Sequence, residues 1–373
     1  MPETCDVVVI GGGMAGVSVG YQLAGERRVV LLEAERMPAT HATGRSAATY
    51  LASYGSRPVR ALTAASRTRF DELADRFELP APLRPRPVLW VASDEHSALA
   101  ARGLLDEQPD TLHELDAVRA REYCPVLNPG AVRFAALDEG SEDIDVLAVH
   151  QAYLRGFRER GGQLRTSAPV RGIGRRGSGW RVHAGDHVLD CELVVNAAGA
   201  WADRIAGLAG VPGVGLVPKW RTLFTSPVGG DAPWHPTAPL IADAAERCYL
   251  KPEGTGVLAS PADAEPCEPG DARADELGIA RALEEINRLT VLGLRTVHRS
   301  WAGLRTFSPD GAPVVGWWPE YPGFAFFAGQ GGYGIQMAPA LAAFGAAVFT
   351  GASPPADIEL SWTDLAPDRV PSD

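Results

Sequence analysis

The stretch from residue 7 to residue 33 constrains this chain more than any other. Val7-Val8-Val9-Ile10 is a short β-branched run, and Gly11-Gly12-Gly13-Met14-Ala15-Gly16 follows at once. Val17 to Ala24 reads as a helix, and Arg28-Val29-Val30-Leu31-Leu32-Glu33 as a second buried strand ending on an acid. Strand, glycine turn, helix, strand, acid is the order of the βαβ fingerprint G-x-G-x-x-G, with its acid about 20 residues on. Each position has a physical reason. Gly11 allows the tight turn, Gly13 lets a pyrophosphate approach the backbone, and Gly16 lets helix and strand pack closely. The helix start offers free N–H groups and the positive end of its dipole to an anion. Glu33 can accept hydrogen bonds from a ribose diol. The fingerprint implies a parallel α/β sheet and leaves NAD and FAD both open.

With 373 residues the chain has room for two domains with separate cores. A net charge of −11 argues against a nucleic-acid partner or an anionic membrane surface. Cys5, Cys124, Cys191, Cys248 and Cys267 form no C-x-x-C, and no Cys/His cluster has metal spacing, so no metal site is expected. Scattered and odd in number, they read as reduced thiols of a cytoplasmic protein. No basic region followed by an apolar core marks a signal peptide, and no apolar run reaches the length of a membrane span.

Along the chain, Thr43-Gly44-Arg45-Ser46-Ala47-Ala48-Thr49-Tyr50 is rich in small and hydroxyl residues that can lie close under a flat ligand. The spacing of Leu62, Ala65, Phe70, Leu73 and Phe77 predicts a helix from Arg60 to Phe77. A proline-rich crossing at residues 80–87 marks a domain boundary. Val88 to Ala92 and Ala131 to Leu137 read as strands, and Ile144 to Arg160 as a helix with Leu147, Tyr153, Leu154 and Phe157 on its apolar face. Gln163 to Val170, Gly179 to His183 and His187 to Asp190 suggest a small antiparallel sheet. Glu192 to Asn196 is a further buried strand, ending in Ala197-Ala198-Gly199-Ala200-Trp201, where the chain returns to the nucleotide domain. Val217 to Thr225 and Arg247 to Pro252 read as strands of the other domain, and Asp275 to Val291 as a helix carrying Leu277. Trp301-Ala302-Gly303-Leu304-Arg305 and the turn Gly329-Gln330-Gly331-Gly332-Tyr333-Gly334-Ile335-Gln336 precede a closing helix from Met337 to Phe349. The proline-rich tail after Gly351 is expected to be mobile.

These blocks together resemble the D-amino-acid oxidase-like family of FAD-dependent amine oxidoreductases, and within it bacterial D-arginine dehydrogenase most. The resemblance implies a Rossmann-like α/β FAD-binding domain of the glutathione-reductase type, made of residues 1–79, 141–215 and 299–373. It implies an α+β substrate domain on a mixed or antiparallel sheet, made of residues 80–140 and 216–298. It also implies non-covalent FAD. The adenosine end would rest on Gly11, Gly13, Met14, Ala15, Gly16, Glu33 and Ala34, with Val170 touching the adenine side. Thr43, Gly44, Arg45, Ser46, Ala48 and Thr49 would follow the ribityl chain and flavin, with Ala198, Gly199, Gly303 and Gly331, Gly332, Tyr333, Gly334, Ile335 and Gln336 lining the ring.

For the substrate, the resemblance places Arg221 and Arg305 around a carboxylate, with Tyr54 and Tyr249 covering it. A guanidinium matches a carboxylate bidentately and stays charged when buried. Two departures matter. D-arginine dehydrogenase has an acid where this chain has Val88, and a histidine where it has Thr49. A desolvated cationic side chain without a partner is costly. The expected substrate is therefore a D-amino acid with an apolar or small side chain, held among Val88, Trp90, Thr49, Trp220, Phe224 and Tyr333. Oxidation gives the imino and then the keto acid. The alternative within the family is a glycine- or sarcosine-type, or pathway-specific, secondary-amine oxidase. From another class, the rival is a flavoprotein subunit that only binds FAD. Whether oxygen or a quinone accepts the electrons is left open by the residues.

Overall fold

Val7–Ile10 is buried along its whole length and lies inside a six-stranded sheet. The computed structural model describes residues 2–229 and 232–369. In that sheet the strands run in the order Gln163–Arg165, Val29–Leu32, Val7–Ile10, Leu193–Asn196, Phe324–Ala328, Val314–Gly316. The first five are parallel and the last is antiparallel. Alternation along Val7–Ile10 separates two cores. Val7 and Val9 face the helices Met14–Leu23, Arg57–Phe77, Val146–Glu159 and Ala338–Thr350. Val8 and Ile10 face Trp180, Val182 and Leu189 of an antiparallel layer.

That layer is Val170–Arg176, Gly179–Ala184 and His187–Cys191, with Glu3–Thr4 on its edge. The expected small sheet is therefore present but begins later. Gln163–Arg165 instead pairs parallel with Val30, Leu31 and Leu32 as an outer strand of the central sheet. Its three residues are too few for alternation to tell one sheet from the other.

The second sheet has nine strands, with Val217–Pro227 paired to Arg299–Phe307 along nine residue positions. It continues through Gly256–Ser260, Tyr249–Glu253, Leu240–Asp243, Val88–Ala92, Phe134–Asp138 and Leu112–Asp116, with Gln330–Gly331 at the opposite edge beside Arg299–Phe307. Neighbours are antiparallel except Leu240–Asp243 against Val88–Ala92. The helix Glu276–Leu289 packs Ile279, Ala282 and Ile286 on one face, against Phe224, Leu250 and Val257. Arg221, Leu223, Val88, Trp90 and Leu240 on the sheet's other face line a cavity. We propose that the chain divides into two units, one around each large sheet; Arg299–Phe307 pairs with Val217–Pro227 in the nine-stranded sheet.

Helix boundaries follow their capping residues. Arg57–Phe77 starts three residues earlier than its apolar spacing suggests, with Ser56 at the N-cap and Pro58 in the first turn. It stops at Glu78, whose φ of 53° ends the helix in the left-handed region. Leu147 and Leu277 are exposed, each in a first turn just after an aspartate cap, where the helix has not yet reached its core. The tail does not hang free: Ile358 and Leu365 are buried, Asp357 binds Arg69, and Arg369 binds Asp310. No helix among the described residues is long and apolar enough to cross a membrane.

The glycine turn depends on one close approach. A Cβ on Gly16 would stand 1.8 Å from the Gly11 carbonyl oxygen, with backbone on both sides. Gly16→Ala is expected to destabilise the protein by about 1–3 kcal/mol or more, as overpacking does. Gly103, inside the helix Glu95–Glu107 with nothing near its Cβ position, is the matched control. Gly103→Ala should stabilise by about 0.5–1 kcal/mol. Thermal denaturation of the two variants beside the parent checks both signs.

Candidate active site

A single cavity of about 580 Å³ runs from the glycine turn to the face of the nine-stranded sheet. Gly11, Gly13, Met14, Ala15, Glu33 and Ala34 line one end. Glu33 is buried, and its carboxylate accepts from the Gly12 N–H and the Glu35 N–H, each at 2.8 Å. The Met14 N–H donates to Thr43 Oγ1 at 2.9 Å, which draws the small-residue loop over the helix start. Val170, Ala198 and Gly199 line the flank, and Thr43, Arg45, Ser46, Ala48, Thr49, Gly303 and residues 331–336 line the middle.

Two expected contacts act from behind the wall instead. Gly16 packs against Gly11, and a Cβ on Gly44 would come within 2.3 Å of the Ala39 carbonyl oxygen. Both shape the turns, and neither lines the cavity. Arg45 lines it, but its guanidinium is engaged by Asp271 and by the Ala272 and Ala302 carbonyls. Its charge fastens the segment around residues 270–272 over the cavity.

The residues present fit FAD. A helix N-terminus, a glycine turn open to the cavity and an acid at the second strand's end would suit the adenosine and pyrophosphate. The cavity continues without a break past Thr49 and Gly303 to a polar end, where Arg221 Nε, Tyr249 OH and Gln330 Nε2 are buried with no hydrogen-bond partner among the described residues. Buried polar atoms are normally paired, so unpaired ones at one cavity end mark a place for a ligand.

At that end the strand register sets the geometry. Arg221 stands opposite Gly303, and Arg305 opposite Lys219, so the two arginines are diagonal neighbours on one face. Gly332 leaves room for this: a Cβ there would lie 2.7 Å from the Arg305 guanidinium carbon. Burial first, and Arg305 second, lower the pKa of Arg221. The Tyr54 ring meets Tyr333 edge-on at 5.4 Å and Trp90 at 5.8 Å. Its hydroxyl donates to Glu246 at 2.6 Å. Burial, then Glu246, push its pKa up, so the phenol keeps its proton. The Arg221 guanidinium lies 5.9 Å from the Tyr249 ring centre.

Val88, Trp90, Thr49 and Tyr333 line the cavity as expected, but Trp220 and Phe224 do not. Trp220 is 40% exposed, and Phe224 is fully buried in the core under the helix Glu276–Leu289. The reason is parity. On Val217–Pro227, Arg221 and Leu223 face the cavity, so residues 220, 222 and 224 face away. Placing Arg221 in the site already excluded its even-numbered neighbours.

Several contacts at the cavity and just behind its wall carried no signal in the sequence, including those of Gln336, a residue expected to line the ring. Glu246 sits at a turn tip with φ of 55°, held by the Asp243–Arg247 ion pair. Ser53 donates to the buried Asp138 at 2.5 Å, next to Tyr54. Asp138 is the cross-strand partner of Val88, so the acid missing at position 88 has a counterpart one strand away, already bonded to protein. Gln336 accepts from the Leu51 N–H and donates to the Leu51 carbonyl, which tethers the same loop. Lys251 is buried, with its Nζ 2.7 Å from Asp143 and 3.4 Å from the Ala48 carbonyl.

A family model described as "DAO: FAD dependent oxidoreductase" matches residues 6–347. The glycine oxidase of Bacillus licheniformis is 26% identical, with 91% of each chain covered. Human mitochondrial dimethylglycine dehydrogenase is 26% identical over 84% of this chain and 39% of its own length. Human mitochondrial sarcosine dehydrogenase is 25% identical over 90% of this chain and 39% of its own. The chain thus spans about two fifths of the length of these mitochondrial dehydrogenases. Among solved structures, glycine oxidase from Geobacillus kaustophilus shares the fold with a TM-score of 0.84 at 22% identity, covering 98% of both chains. The relatives include glycine oxidases and sarcosine-type dehydrogenases, so the expected special likeness to D-arginine dehydrogenase gives way to this broader one. Since the match runs from the start of the central sheet into the closing helix, the chain belongs to the DAO family of FAD-dependent oxidoreductases.

Proposed function

We propose that this protein oxidises the carbon–nitrogen bond of a small amino carboxylate of the glycine or sarcosine type. The observation that carries this is the pair Arg221 and Arg305 on one sheet face, with Arg221 Nε and Tyr249 OH buried and unpartnered. A carboxylate between the guanidinium groups would satisfy them and fix the substrate's Cα. The relatives named for glycine, sarcosine and dimethylglycine support an amine substrate of this size.

Bound FAD supplies the hydride acceptor, and the imine released then takes up water to give the keto acid and free amine. The chain's own part is orientation and charge. Two cationic guanidinium groups disfavour a third positive charge beside them, so they favour the neutral amine that hydride loss requires. Tyr54, kept protonated, closes the cavity by its bond to Glu246. A second reading is a D-amino acid with an apolar side chain. The cavity walls at Val88, Trp90, Leu51 and Leu240 favour it.

Anaerobic flavin bleaching separates the readings. Glycine and N-methylglycine are expected to reduce the flavin faster than D-alanine, D-valine or any L-amino acid. The reverse order between N-methylglycine and the D-amino acids selects the second reading, and no bleaching by any of them removes both. Arg305→Ala and Arg221→Ala should each lower kcat/KM for the best substrate by about 2–5 kcal/mol, as loss of one partner of a buried charge pair does. A variant with unchanged kcat/KM would place that arginine outside the substrate site.

A further inference from the structure

We infer that His150 is a positioning residue for the cofactor: it sets the peptide between Gly12 and Gly13 so that the Gly13 N–H faces the pyrophosphate. His150 lies on Val146–Glu159, 138 residues from the glycine turn, and is 3% exposed. Its Nε2 stands 2.9 Å from the Gly12 carbonyl oxygen. A carbonyl only accepts, so Nε2 carries the proton. Burial holds the imidazole below its ordinary pKa, which keeps the ring neutral.

The consequence lies in the planarity of one peptide unit. In a trans peptide the carbonyl of one residue and the N–H of the next point in opposite directions. With the Gly12 carbonyl turned toward His150, the Gly13 N–H must point away from it. Gly13 lines the cavity and caps the helix Met14–Leu23, where backbone N–H groups have no acceptor within the helix. The other polar atom of Gly12 is taken as well, because its N–H donates to Glu33 at 2.8 Å. A longer bond from the Ala39 N–H, at 3.3 Å, reaches the same Gly12 oxygen.

This peptide joins two glycines, the residues least able to hold a backbone orientation by their own sterics. Flipped, it would present a carbonyl oxygen to the phosphates in place of an N–H. Attraction would become repulsion at the point where the cofactor carries its charge. An outside donor that fixes the carbonyl keeps the turn in its binding form before the cofactor arrives.

The test uses full-length apoprotein titrated with FAD by fluorescence, and with ADP as a competing probe of the adenosine and pyrophosphate half. His150→Leu removes the donor at similar volume and should weaken FAD and ADP alike by about tenfold, the worth of one hydrogen bond. His150→Gln keeps an N–H donor at similar reach and should bind both within about threefold of the parent. Unchanged FAD binding in His150→Leu overturns the inference, as does a glutamine variant no better than leucine, which would show packing alone. Weakened FAD with unchanged ADP overturns it too, since the effect would lie away from the pyrophosphate. Circular dichroism checks folding. If His150→Leu does not fold, a folded His150→Gln binding both probes tenfold weaker is the overturning result.

Discussion

Two guanidinium groups on one sheet face, Arg221 buried and Arg305 half-buried beside it, set the terms for the rest of this structure. Desolvating a charge costs several kcal/mol even after relaxation, and a like charge beside it adds to that. The direction of the Arg221 shift records both effects. Such a pair persists only where the backbone gives the side chains no other place to go. Here the strands Val217–Pro227 and Arg299–Phe307 hold the two arginines in fixed register. Gly332 opens the space beside Arg305, and Tyr54, Tyr249 and Tyr333 close it with aromatic surface. An anion placed between the two groups would offset the unfavourable charge, as the proposed function requires.

The loop that carries Tyr54 shows how the two sheets are joined around this charge. Gln336 holds Leu51, Asp138 holds Ser53, and Glu246 holds Tyr54 itself. These anchors come from the glycine-rich turn before the closing helix, from the strand beside Val88, and from a turn of the nine-stranded sheet. Lys251 reaches across in the same way, bonding Asp143 and the Ala48 carbonyl. The substrate end of the cavity is thus fastened by polar side chains from several distant segments. The cofactor end is shaped by backbone and glycine.

That contrast explains what could be read from the residues alone. The glycine turn, Glu33 and the Thr43 to Thr49 loop were legible because their chemistry is local: backbone geometry dictates residue type within a short stretch. The alternation of Val217–Pro227 was also legible, and it excluded Trp220 and Phe224 once Arg221 was placed; reading the two aromatic residues as walls overlooked that parity. Glu246, Asp138 and His150 were not legible. Each acts on a segment far away in the chain, and nothing in its own neighbourhood distinguishes it from a surface acid, a turn acid or a core histidine. The short strand Gln163–Arg165 failed for a different reason, since three residues carry too little pattern to name their sheet.

The parallel pair Val88–Ala92 and Leu240–Asp243 sits within an otherwise antiparallel sheet, and it joins segments about 150 residues apart in the chain. The strands bearing Arg221 and Arg305 are likewise far apart in sequence. Contacts of this span must close long loops before any of their stabilisation is realised, which slows folding and places such contacts late. During synthesis the glycine turn emerges first, but the partners that fix it, His150 and the strand Leu193–Asn196, follow it, and the strand bearing Arg305 follows them. Both ends of the cavity are therefore completed only when late segments of the chain have joined early ones, since Gly303 and residues 331–336 line it beside the glycine turn.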